Sequence, residues 1–329
     1  MQIKMFMKII LAGIVSFFLL SILCLFYYNI PVHYSSETGA TDYVWEKNKY
    51  YVRAGEGFSY GKTDSNGYNN LNIPNQVDIL LMGSSQAEGF NVLQDENTAA
   101  RLNKLLENKL SVYNIGVSGH TFAVCLSNLE NAIKAFKPKK YIIIETQAFM
   151  TETELNNLCN NSIEEIPSAN VGITAQLQKL DYLRLLYSQY QSYTASRTKN
   201  NISVKENNSG DMKLYEEKLN QVLEKAQKLA EEASCELIVF MDDSLKRNEN
   251  GIVLLRQEDQ YYDIYKKVCE KNNIIFVDMY NPFAELYSLT YRLPHGFSNT
   301  RVGTGHLNKY GHEVIANTIF EIIKEKEEI

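Results

Sequence analysis

The stretch that decides the fold is VDILLMGSSQAEG, residues 77–89. A short, almost uninterrupted apolar run, 77–83, is the pattern of a strand buried on both faces. It then breaks into Gly83, Ser84 and Ser85, small residues suited to a tight turn leading into a helix. Working outward, four more runs of this kind follow: VYNIGV (112–117), KYIIIE (140–145), ELIVFM (236–241) and NIIFVDM (273–279). Helical patterns alternate with them at about 97–110, 122–136, 213–233, 258–271 and 308–326. Strands alternating with helices predict a three-layer α/β/α fold around a mostly parallel five-stranded sheet. One stretch interrupts the alternation. Residues 151–212 hold a helical pattern at 173–193 and a polar tail, and read as an insertion after the third strand. Residues 31–76 read as a polar, tyrosine- and glycine-containing lead-in packed on the domain, which itself spans 77–329.

Composition sets the class. The chain has 329 residues, 45% hydrophobic and 22% charged, which excludes a disordered or collagen-like protein. Its net charge is −6 and no basic stripe runs through it, so nucleic acid is not an expected partner. No His/Cys/carboxylate group has metal-ligand spacing and no glycine-rich phosphate loop is present, so neither a metal nor another cofactor is expected.

The first thirty residues concern compartment. Lys4 and Lys8 precede an uncharged run of 20 residues, Ile9 to Tyr28, and the next cation is Lys47. At a helical rise of ~1.5 Å this run covers roughly 30 Å, the thickness of the hydrocarbon core of a bilayer. Cations on the N-terminal side alone predict a cytoplasmic N-terminus and an extracytoplasmic domain. The run exceeds the length of a cleaved signal's apolar region and lacks a small-residue cleavage site, so it reads as a single-pass signal anchor, residues 1–30. Outside the membrane Cys125, Cys159, Cys235 and Cys269 read as buried thiols, with a Cys235–Cys269 disulfide left open.

In an open parallel sheet, ligands bind beyond the carboxyl ends of the strands. After the first strand stands Ser85, at a helix N-terminus where a hydroxyl is placed for attack and backbone N–H groups can hold an oxyanion. Capping the helix would be the structural use of the same serines. After the second strand come Ser118 and Gly119, whose N–H is a candidate oxyanion donor, and His120, which reads as structural. Before the C-terminal helix stands GHLNKYGHE (305–313); His306 in the loop can reach back to the top of the sheet, whereas His312 reads as a packing residue.

These segments, Gly83-Ser84-Ser85, Asn114 through Ser118-Gly119, and His306-Leu307-Asn308 with Gly311, together resemble the SGNH (GDSL-like) hydrolase superfamily. The resemblance spans roughly 77–326. It implies a nucleophile at Ser85, a general base at His306, and oxyanion donors at Ser85 and Gly119. Two positions depart from the family pattern. The aspartate three residues before the histidine is replaced by Gly303. The third block's asparagine is missing from Glu145-Thr146-Gln147-Ala148-Phe149, leaving Gln147 as a candidate amide donor. The missing triad carboxylate could be replaced by a backbone carbonyl, Asp242 or Asp243. With the compartment, the resemblance implies an extracytoplasmic serine esterase acting on acyl, chiefly acetyl, esters of cell-envelope glycans. An acyltransferase on the same substrates and a non-catalytic glycan-binding or envelope-assembly protein remain the alternatives. The oligomeric state is not legible.

Overall fold

A computed structural model describes residues 2–107, 109–160, 182–183, 186, 212–256 and 259–327. Helix α1 (Gln2–Tyr27) runs directly into β1 (Tyr28–Asn29). Four short strands follow: β2 (His33–Ser35), β3 (Tyr43–Trp45), β4 (Tyr50–Arg53) and β5 (Ser59–Lys62). Next come β6 (Ile79–Met82), α2 (Ser85–Glu88), α3 (Thr98–Leu105), β7 (Val112–Asn114), α4 (Phe122–Phe136), β8 (Tyr141–Thr146) and α5 (Glu152–Cys159). The remainder is α6 (Met212–Glu232), β9 (Glu236–Met241), α7 (Gln260–Lys271), β10 (Ile275–Asp278), α8 (Tyr280–Thr290) and α9 (Lys309–Glu327).

The main sheet has five parallel strands in the order β10-β9-β8-β6-β7. Successive side chains on a strand point to opposite faces, and the two cores divide accordingly. Leu80, Met82, Ile142, Ile144, Leu237 and Val239 pack with α4, α5, α6 and α7. Ile79, Leu81, Ile143, Ile238 and Phe240 pack with α3, α8 and α9. Both faces are therefore apolar, which is why the strands read as continuous runs. Burying one such Leu or Ile contributes roughly 1.5–3 kcal/mol. This is the three-layer α/β/α fold expected from the alternating pattern.

Several details differ from expectation. The lead-in is built of strands: β1, β4 and β5 form an antiparallel sheet, and β2 pairs with β3. These strands are too short and too polar for a period to show in the sequence. Helix α8 was also not expected; it follows β10 almost without a break, with Pro282 in its first turn, where a missing N–H costs nothing. Cys125, Cys159, Cys235 and Cys269 are free thiols, so no Cys235–Cys269 disulfide forms. Burial pushes the Cys269 thiol up to about 12. The predicted helix at 173–193 and most of the 151–212 insertion lie outside the described residues, although α5 occupies its start. Helix α1 is long and apolar enough to cross a membrane, and nearly all of it is exposed.

Candidate active site

Strand β6 ends at Gly83, pressed against β8: a Cβ there would lie 2.6 Å from Glu145 Oε2 and 2.7 Å from Ala87 Cβ. Only glycine fits. Ser84 then caps α2, its Oγ accepting from the Gln86 N–H at 3.2 Å and from Gln147 Nε2 at 2.6 Å, while its own N–H donates to Glu145 Oε2 at 2.6 Å. With Ser84 Oγ engaged in the cap, the half-buried hydroxyl of the next residue is the one that meets the histidine. Ser85 Oγ stands 2.9 Å from His306 Nε2. As the first helical residue, Ser85 has an N–H with no acceptor within the helix.

His306 is held on its other side by a residue outside all of the sequence blocks. Its Nδ1 lies 2.6 Å from Glu56 Oε2, and its backbone N–H donates to Glu56 Oε1 at 2.9 Å. Glu56 lies in the loop between β4 and β5, 250 positions from His306. Burial pushes its carboxyl up, but the bonds from His306 outweigh this and hold it below the usual carboxylate range. Glu56 thus stays ionised and fixes the imidazole with Nδ1 protonated and Nε2 free to accept from Ser85.

The loop around Glu56 is clamped. Asn91 Nδ2 donates to the Glu56 carbonyl at 3.1 Å, and Asn299 bonds the Gly57 N–H, the Gly57 carbonyl and the Ala54 carbonyl. Gly305, at φ +92°, leaves room for the carboxylate, since a Cβ would sit 2.4 Å from Glu56 Oε1. The histidine loop is tied to the serine helix by buried Gln86, whose Oε1 accepts from the Leu307 N–H at 2.6 Å and whose Nε2 donates to the Gly305 carbonyl at 3.3 Å. One side chain next to Ser85 therefore grips the backbone on both sides of His306.

Asp242 and Asp243, the sequence candidates for the third group, do not reach His306. Asp242 is fully buried beside Glu145, and burial pushes both carboxyls well up, so the pair keeps a proton. Asp243 instead faces Arg256 at 3.6 Å.

Gly119 lies in an exposed turn at φ +88°, and a Cβ there would meet nothing within 4 Å, so its backbone borders open space. The turn is held from the N-terminal segment. Tyr43 Oη donates to the Ser118 carbonyl at 2.7 Å, and buried Glu88 accepts from Trp45 Nε1 and Ser118 Oγ. Ser85, Gly119 and Gln147 line one cavity of about 420 Å³ with Phe122, Phe149 and Met150 on its apolar side. His120 also borders it but is buried, with Nε2 3.5 Å from Asp42 Oδ2. His312 is packed inside α9, where Nδ1 accepts from the Thr98 N–H at 3.2 Å, and burial holds it down at about 3.

Sequence reasoning missed Glu56. Its one local signal is the pair of glycines around it, Gly55 and Gly57, marking an acid in a tight turn.

No family model matches the sequence, and no curated protein matches it. Among solved structures, TesA is 12% identical over 75% of this chain and 98% of its own, with a TM-score of 0.42. The psychrotrophic esterase EstA from Pseudoalteromonas sp. is 12% identical over 76% and 98%, at 0.41. The acetyl xylan esterase AlAXEase is 12% identical over 74% and 98%, at 0.40. These are likenesses in the course of the chain. In this chain the three-layer fold brings the serine and histidine segments together at the carboxyl edge of the parallel sheet.

Proposed function

We propose that this chain is a serine esterase of the SGNH type, held in a membrane by α1, with its α/β/α domain on the extracytoplasmic side. The observation that carries this reading is the continuous hydrogen-bonded chain from Ser85 Oγ through His306 to Glu56 at the carboxyl edge of the sheet. Ser85 Oγ attacks the acyl carbonyl while His306 Nε2 takes its proton. The N–H groups of Ser85 and Gly119 hold the oxyanion, and the Gln147 amide is the candidate third donor once it leaves Ser84. Collapse breaks the ester C–O bond, and His306 returns the proton to the leaving alcohol. Water, deprotonated by His306, then attacks the acyl-enzyme; the acyl–Oγ bond breaks, His306 returns the proton to Ser85 Oγ, and the acid leaves. Glu56 stabilises the imidazolium formed in both halves of the cycle.

The substrate class, acetyl esters of envelope glycans, rests on the family resemblance and on the compartment implied by α1. The cavity beside Ser85, apolar toward Phe122, Phe149 and Met150, suits an acyl group with its sugar ring toward solvent. Release of acetate from O-acetylated polysaccharide, measured beside Ser85→Ala, tests the reading. Equal release by both proteins would refute it.

A further inference from the structure

We infer that the outer face of the β1–β4–β5 sheet seats on the bilayer surface and holds the Ser85–His306–Glu56 site at headgroup level, an inference that rests on the reading of α1 as a membrane anchor. No linker separates anchor and sheet: α1 ends at Tyr27 and β1 begins at Tyr28. Tyr28 pairs with Arg53 and Asn29 with Val52, so β4 lies beside the chain as it leaves α1, and α1 itself contacts β4. Adjacent strands are about 4.8 Å apart, which puts the whole three-stranded sheet within about 10 Å of that exit.

The two faces of the sheet differ. Tyr51 and Ser59 point inward and are buried, Tyr51 packing on Phe90 and, through it, Trp45. On the other face the pairings Tyr50↔Lys62 and Val52↔Tyr60 put Tyr50, Tyr60 and Lys62 side by side. Tyr50 is 70% exposed, Tyr60 58%, and Phe58 at the turn 58%. The Lys62 ammonium lies 5.3 Å over the Tyr50 ring. Amphipathic rings with a long cationic side chain are what a membrane–water interface accommodates: rings among the headgroups, the ammonium toward phosphate.

This placement bears on the substrate. Glu56 is three residues beyond Arg53, so the triad carboxylate sits about 10 Å along the chain from the strand pairing that leaves the membrane. A site held there meets esters carried on membrane-tethered molecules ahead of esters free in solution.

The test uses the full-length chain carrying Tyr60→Trp, reconstituted into phosphatidylcholine vesicles and compared with the wild type, whose single Trp45 is buried and supplies a constant background. Flotation with the vesicles after alkaline carbonate treatment reads the anchor. Quenching of the added fluorescence by phosphatidylcholine brominated near the headgroup, against quenching by aqueous iodide, reads the sheet. The inference predicts flotation, strong quenching by the brominated lipid and protection from iodide. Flotation with iodide quenching and none from the lipid would overturn the docked sheet and leave the anchor standing. Failure to float would overturn the anchor and the docked sheet with it.

Discussion

Replacing Glu56 with glutamine keeps the side chain's size and one acceptor oxygen but removes the charge that faces the imidazolium during turnover. The loss can be worked from the geometry. With Oε2 2.6 Å from Nδ1, the positive charge spread over the ring lies on average about 5 Å from the carboxylate, worth about 3 kcal/mol at an effective dielectric of about 20. His306 and Glu56 side chains are 25% and 22% exposed, and solvent screening draws the value toward about 2–3 kcal/mol. That corresponds to a loss of roughly 30- to 150-fold in kcat/KM, carried by kcat because the charge pair strengthens in the transition state. Initial rates of p-nitrophenyl acetate hydrolysis, with a thermal melt to establish folding, make the assay. Glu56→Asp, one methylene short, should fall between wild type and Glu56→Gln. Asp243→Asn, which touches Arg256 and not His306, should stay near wild type. A folded Glu56→Gln protein within threefold of wild type would refute the assignment of Glu56.

Other consequences follow from the same geometry. Gly305→Ala drives a methyl into Glu56 Oε1 and strains a backbone at φ +92°, so activity should drop at least tenfold while a folded domain remains by circular dichroism. Gln86→Ala leaves the buried Leu307 N–H without its acceptor and releases the more exposed Gly305 carbonyl, and should cost about 1–3 kcal/mol in chemical denaturation, with a parallel loss of kcat. His312 is held at about 3 in the folded protein against about 6.5 when unfolded, so the unfolded chain gains a proton first as pH falls. Stability from this residue is full above about pH 6.5 and should fall by about 3 kcal/mol at pH 4. A melting temperature that declines as steeply in His312→Gln as in wild type would count against that source.

What the sequence shows follows physical lines. Strands buried on both faces leave apolar runs, so Ile79–Met82 and Tyr141–Thr146 stood out, and so did the small residues Gly83, Ser84 and Ser85 after the first. Ser85, Gly119 and His306 could be named because each follows or precedes a regular element at the sheet's carboxyl edge. Glu56 belongs to no such element. It comes from a hairpin of four-residue strands whose exposed tyrosines hide any period, and it meets His306 only through a fold that joins chain positions 250 apart. Gln86 was invisible for a related reason: a glutamine in a four-residue helix is unremarkable until the His306 loop is laid across it. The carboxylates that did invite attention, Asp242 and Asp243, follow β9, two strands from β6, and face Glu145 and Arg256 instead.

The central claim is that Ser85 is a nucleophile activated through His306 by Glu56. A fluorophosphonate probe applied to the full-length protein, with the labelled peptide mapped by mass spectrometry, tests it most directly. The account predicts label on Ser85, none in Ser85→Ala or His306→Ala, and labelling slowed in Glu56→Gln by the factor worked above. Label on Ser84, or no label on a folded wild-type protein whose cavity admits the probe, would contradict it.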